Sequence, residues 1–228
     1  MIRYILRRMN CIVFSMKIVP FNLDTLKEAV SILKNGGVIA HPTDTCYGLA
    51  ADMMNPDALK KTQSIKGRDY KKPMSIMISV PEQLKMEQYV VLDDFSKLVV
   101  YKLFPSAVTL LLPKGPEIPD FYFPETPLIG LRVPMHDSTQ DILRVFGGPL
   151  ITTSANPSGE GLCFSSSEVI ERFKDKKYKP DLVFEGKITK NNKASTVIKV
   201  ESDHIRVTRK GPVTASQLES ILGVPVKE

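Results

Sequence analysis

With 228 residues, 43% of them hydrophobic, the chain is long enough to bury the core of one domain, and no Gly/Ser- or Pro-rich linker divides it. A formal charge of +6 suits a phosphate-rich ligand, either a nucleotide or a nucleic acid, although a merely soluble basic surface would carry the same sum. Three cysteines, Cys11, Cys46 and Cys163, exclude a disulfide framework, and the scattered His41, His136 and His204 argue against a zinc site.

Residues 1–15 carry Arg3, Arg7 and Arg8, and no acid precedes Asp24. The apolar run Cys11 to Phe14 is too short for a secretory signal or a membrane span. We read 1–15 as an extension of little functional weight, with an organellar presequence as the alternative, and 16–228 as the domain. A cytoplasmic location and no membrane contact follow from this reading.

Met16 to Pro20 reads as a short strand. Thr25-Leu26-Lys27-Glu28 reads as a capping box, with Leu26, Ala29, Val30 and Leu33 on one helical face, and Gly36-Gly37 stops that helix. Val38-Ile39-Ala40 is a buried-strand run that leads into the polar loop 41–48. Asn55-Pro56 caps and opens a helix toward Ile65, with Lys66-Gly67-Arg68 at its end. Met74 to Val80 is strand-like, Pro81 to Met86 a helical turn, and Asp94 to Leu103 a helix. Strands follow at Ala107 to Leu112 and Leu128 to Val133, then a helix from Ser138 to Phe146 with Ser138 as its cap. Leu150-Ile151-Thr152 is a strand running into Thr153-Ser154-Ala155-Asn156. Ser167 to Phe173 is helical; Asp181 to Phe184, Thr196 to Val200 and Ile205 to Thr208 are strands; Thr214 to Gln217 caps a last helix to Leu222. The mixture without strict alternation predicts an α/β fold with a mixed sheet and flanking helices.

Several loops hold residues suited to binding an anion. Pro42-Thr43-Asp44-Thr45 can bond ligand or its own backbone, as such turns commonly do. Lys66, Arg68, Lys71 and Lys72 put four cations within seven residues; an exposed helix end is the plainer reading of the first two. Arg132 interrupts an apolar strand, which calls for either a buried Asp or Glu partner or a ligand carboxylate. Ser154, Asn156, Ser158 and Gly159 form a small-residue loop whose N–H groups can approach a phosphate. Ser195-Thr196 and Arg209-Lys210-Gly211 lie at strand ends. No P-loop, no G-x-G-x-x-G and no G-x-S-x-G is present.

Together these segments resemble the YrdC/Sua5 family of threonylcarbamoyl-AMP synthases, in its short, single-domain form. The likeness runs from about Met16 to Gly211. It rests on residues 36–49 (Gly-Gly-Val-Ile-Ala-His-Pro-Thr-Asp-Thr-Cys-Tyr-Gly-Leu), Lys-Gly-Arg-x4-Pro (66–73) and Leu-Arg-Val-Pro (131–134). Thr-Ser-Ala-Asn-Pro-Ser-Gly (153–159), Ser-Thr-Val (195–197) and Arg-Lys-Gly (209–211) complete it. The resemblance implies a YrdC-like twisted open mixed sheet with a basic concave face. It implies synthesis of threonylcarbamoyl-AMP and pyrophosphate from L-threonine, bicarbonate and ATP, with Mg²⁺ escorting the triphosphate and no dedicated metal ligands. The product would pass to a transferase complex that modifies adenosine 37 of tRNA, with contact to tRNA or double-stranded RNA among the implied properties.

By position, Lys66 and Arg68 would be the catalytic cations. Arg68, Lys72, Ser154, Asn156 and Arg209 would bind ATP, and Thr45, Arg132, Thr152 and Ser195 the threonine. Three departures stand out: Pro105-Ser106-Ala107-Val108-Thr109 replaces a Pro-Gly-Pro-x-Thr turn, Met77 replaces a histidine of some members, and Leu162 a small hydroxyl residue. The alternatives are a carbamoyl-adenylate-handling domain, as in hydrogenase-maturation carbamoyltransferases, and a double-stranded RNA or tRNA-binding module.

Overall fold

The computed structural model describes residues 16–188 and 193–228. Cys11, the expected 1–15 extension and part of the basic run 187–193 lie outside these residues.

Among the described residues the strands are β1 (Lys17–Val19), β2 (Val38–His41), β3 (Gly48–Asp52), β4 (Ser75–Met77), β5 (Val108–Pro113), β6 (Leu128–Arg132), β7 (Leu150–Ser154), β8 (Leu182–Phe184), β9 (Thr196–Val200), β10 (Ile205–Arg209) and β11 (Val226–Lys227). They form one open sheet in the order β1-β8-β2-β3-β7-β4-β6-β5-β9-β10-β11. Parallel pairs such as β2/β8, β4/β6 and β5/β9 alternate with antiparallel ones such as β2/β3, β3/β7 and β5/β6, so the sheet is mixed, as the sequence predicts.

The helices are α1 (Leu23–Lys34), α2 (Pro56–Lys66), α3 (Asp94–Leu103), α4 (Asp137–Phe146), α5 (Ser166–Phe173) and α6 (Ala215–Leu222), with a 3₁₀ segment at Pro81–Gln88. Two expected caps shift. Asn22, not Thr25, caps α1: its Oδ1 accepts the N–H groups of Asp24 and Thr25, each at 3.0 Å, and Thr25 is the third helical residue that answers back to the Asn22 N–H. His136, not Ser138, caps α4, because its ring accepts the Thr139 N–H. The strands β3 and β11 were not expected. The Gly-Leu-Ala-Ala-Asp of β3 has no β-branched residue and gains its strand from pairing with β2 and β7.

Strand alternation sorts the core into two layers. Val38, Leu49, Ile76, Leu110, Leu131, Ile151 and Ile198 face one way and pack with α2, α3, α5 and α6. Ile39, Ala50, Met77, Leu150, Leu182 and Phe184 face the other way, under α1 and α4. These two helices cover only the β1–β4 part of their face in the sheet order. Toward β10 the same face carries Ser75, Thr109, Arg132, Thr152 and Ser154, which line a cleft.

Leu33 of α1 is fully buried in the smaller layer. Leu33→Ala should lower the unfolding free energy in urea by about 2–5 kcal/mol, the range for a buried leucine truncated in a well-packed core, with an unchanged denaturant slope.

Candidate functional site

The cleft has a volume of about 260 Å³. Its floor is the half-covered sheet face, and its walls are the 43–48 loop, the end of α2 with residues 73–74, Leu162, and the Ala194–Ser195 segment. Arg68, Arg132 and Arg209 line it, and no Asp or Glu lies among the lining residues. Ser75 and Thr109, which sequence reasoning did not single out as ligand residues, lie on the floor. Their signal was period two: each polar residue sits beside apolar neighbours that face the larger core layer.

Several of the expected residues meet here. Thr45, Arg68, Arg132, Thr152, Ser154, Ser195 and Arg209 all line the cleft. Lys72 is exposed and does not line it, and Met77 is buried in the α1–α4 layer rather than facing it. Leu162 does line it and adds an apolar patch.

Lys66 and Asn156 act on the frame. Lys66 ends α2, whose C-cap Gly67 takes the left-handed φ of 53° that an L side chain resists. The buried Lys66 ammonium donates to Ser154 O at 2.8 Å, to Asn156 O, and to Asn156 Oδ1 at 3.1 Å. The Ser158 N–H returns a bond to Lys66 O at 2.8 Å. Asn156 spends its amide on Pro157 O and Glu160 O. One ammonium therefore joins the two loops that carry the Lys-Gly-Arg and Ser-Ala-Asn segments. Burial, and next the charge of Arg68, lower the Lys66 pKa to about 8.

Arg209 reaches the cleft through a bulge. Val207 pairs with Ile198 and Arg209 with Val197, so the register slips by one residue between them. A regular strand would put Arg209 on the Val207 side, against the larger core layer; the slip turns it to the cleft face. Its guanidinium donates to Ser195 O at 2.9 and 3.1 Å and to Ser195 Oγ at 3.0 Å. Ser195 Oγ in turn lies 2.8 Å from Thr109 Oγ1. Gly211 allows this approach: a Cβ there would stand 2.2 Å from Thr196 N and 2.5 Å from Ala194 O. The side chain stays open to solvent, yet desolvation by the protein around its guanidinium, and next the charge of Arg132, lower its pKa.

The 42–46 loop is built on hydroxyls. Thr43 Oγ1 donates to Cys46 O at 2.6 Å and accepts the Thr45 N–H at 3.1 Å. With that hydrogen used, the 3.1 Å contact between the two threonine hydroxyls has Thr45 as donor. Of the two readings that the sequence left open for Arg132, the structure shows the buried acidic partner, Asp44 at 2.7 Å, and it also places Arg132 on the cleft lining. His41 is fully buried, and burial drives its pKa down to about 3, so the ring is neutral. Among the described residues, no group of three or more His, Cys, Asp or Glu side chains is placed to hold a metal ion. No described helix is long and apolar enough to cross a membrane.

The Sua5–YciO–YrdC family model, described as "Telomere recombination", matches residues 31–211 and so takes in every segment that lines the cleft. The chain belongs to the Sua5/YciO/YrdC family. A Methanocaldococcus jannaschii protein provisionally named threonylcarbamoyl-AMP synthase is 34% identical over 206 residues, covering 89% of this chain and 95% of that protein. The threonylcarbamoyl-AMP synthase of Bos taurus is 36% identical over 152 residues, covering 67% of this chain and 52% of the bovine protein. The crystal structure of P. abyssi Sua5 complexed with L-threonine superposes with a TM-score of 0.81 at 25% identity, over 93% of this chain and 62% of that one. This Sua5/YciO/YrdC chain thus spans about half the length of the bovine relative and under two thirds of the P. abyssi protein.

Lys66→Met should lower stability by about 1.5–3 kcal/mol, the worth of hydrogen bonds made by a charged donor, and should speed amide exchange at Ser158. The folded protein releases the Lys66 proton at about 8 and the unfolded chain near 10.5. The unfolded state therefore binds more protons between these values, and the Lys66 contribution to stability rises with pH across that window. NMR titration of ¹³C-labelled lysine, with Lys66→Met to assign the signal, should give a midpoint near 8.

Proposed function

We propose that this chain is an L-threonylcarbamoyladenylate synthase, a nucleotidyltransferase that serves N6-threonylcarbamoyladenosine formation in tRNA. The observation that carries the reading is the convergence of Arg68, Arg132 and Arg209 on one hydroxyl-lined cleft with no carboxylate among its lining residues, in a chain of this family. The domain would be residues 16–228.

The reaction assigned to the cleft starts with the amine of L-threonine and bicarbonate, which give N-carboxy-threonine and water. A carboxylate oxygen of that carbamate then attacks the α-phosphorus of ATP. The new bond is O–Pα, the bond to the β-phosphate bridging oxygen breaks, and pyrophosphate leaves. No protein nucleophile is required. The work of the protein is to hold two anions that repel each other in line for attack. Arg132, with Thr45, Thr152 and Ser195, would take the threonine and its carbamate. Arg68, Ser154 and Arg209 would take the phosphates, with Lys72 reaching them from the loop rim. Lys66 and Asn156 would hold the Ser154 loop in place. Each charge-assisted hydrogen bond contributes about 1.5–3 kcal/mol, so several together offset the anion repulsion.

Mg²⁺ belongs to this reading only as the companion of ATP. The cleft residues supply no carboxylate for a cage, so phosphate oxygens and water would be its ligands. The product would pass to a threonylcarbamoyl transferase complex, with contact to tRNA or double-stranded RNA through the basic concave face, in the cytoplasm.

Pyrophosphate release from ATP should depend on both L-threonine and bicarbonate. Arg68→Ala should reduce that release about 10²–10³-fold, as loss of one preorganised donor does, while the melting curve stays that of the parent. Release indifferent to threonine would sink the proposal; salt-sensitive RNA binding in its place would favour the RNA-binding alternative.

A further inference from the structure

Arg132 reaches the cleft already engaged. Its Nη2 donates to Asp44 Oδ1 at 2.7 Å, and the two side chains keep only 9% and 8% of their surface exposed. Its buried Nε has no hydrogen-bond partner, so the carboxylate grips one donor of the fork rather than the Nε–Nη2 edge. Asp44 does not line the cleft. Its other oxygen accepts the Met135 N–H at 3.3 Å.

The loop that carries Asp44 is fixed from a second side. Thr139 of α4 donates to Pro42 O at 3.0 Å, and the neutral His41 ring sits 3.0 Å from the same carbonyl through Nδ1. Asp44 is therefore a carboxylate on a braced loop that accepts from Arg132 Nη2 and from the Met135 N–H. That arginine shares its cleft with Arg68 and Arg209. Desolvation first, and then the charges of Arg132 and Arg68, lower the Arg209 pKa, and like charges sharing one cleft repel. A charge-assisted bond to one corner fixes the plane of the guanidinium and leaves Nη1 as the end that can meet a ligand, the Nε being buried.

We infer that Asp44 is a positioning residue for amino-acid recognition: it sets the plane of the Arg132 guanidinium so that the Nη1 end meets the carboxylate of the bound amino acid. The inference rests on the threonylcarbamoyl-AMP synthase reading. It predicts a defect that falls on one substrate, because Asp44 acts through Arg132.

The test is steady-state pyrophosphate release by the full chain, wild type against Asp44→Asn and Asp44→Glu, with L-threonine and ATP varied separately and melting curves recorded for each. Asp44→Asn should raise the KM for L-threonine at least tenfold and leave the KM for ATP within twofold. Asp44→Glu restores the charge one methylene away and should recover part of that loss. It also keeps the pair testable if Asp44→Asn, which leaves Arg132 without its counter-charge, does not fold. An unchanged threonine KM in a folded variant, or equal rises for both substrates, would overturn the inference while leaving the proposed function standing. A wild-type protein with no threonine-dependent release would overturn both.

Discussion

One face of the sheet is covered by helices from β2 to β10, and the other only where α1 and α4 lie. Everything at the site depends on that unequal cover. An apolar residue on the uncovered stretch would gain nothing from burial, and a polar one keeps its access to water or ligand. Thr109, Ser75, Thr152 and Ser154 occupy that stretch, while their strand neighbours Leu110, Ile76 and Ile151 fill the larger core layer. The strands that hold the protein together are the strands that present the cleft, so floor and core share one rigid element.

The cations of the cleft repel one another, and the structure answers with oxygen atoms rather than with distance. Lys66 is tied to carbonyls of the 154–156 loop, Arg209 to Ser195 O, and Arg132 to Asp44. The Lys66 and Arg132 bonds also join chain segments 88–90 residues apart in sequence. Lys66 thus ties the frame, while Arg132 and Arg209 both join segments and give the cleft its sign. Desolvation lowers the pKa of Arg68 and of Arg209, a cost that an anion in the cleft would offset on the proposed reading.

Much of the fold could be read from local signals. The helix at Asp94–Leu103 lies where the sequence places it, and Gly36, Gly67 and Gly147 follow their helices with the positive φ that helix stops require. The short apolar runs that read as strands lie in β1, β2 and β4 to β10. Caps that depend on one side-chain rotamer were displaced, as at Asn22 and His136, because several residues near each helix start could serve. The strand β3 was missed because its Gly-Leu-Ala-Ala-Asp run has little preference of its own and takes its conformation from two neighbours.

The sequence by itself determined which residue types gather in each polar segment, and family likeness grouped those segments into one pocket. It could not decide which cations face the cleft and which hold it together. Lys66 and Arg68 are two residues apart on the chain, yet the end of α2 sends one ammonium into the 154–156 loop and leaves one guanidinium on the cleft wall. Arg209 continues a strand whose alternation would place it on the core side, and only the bulge after Val207 turns it outward. Pairing register and helix-end geometry are set by contacts between distant segments. The direction of a charged side chain is therefore a tertiary property, even where its identity is written plainly in the chain.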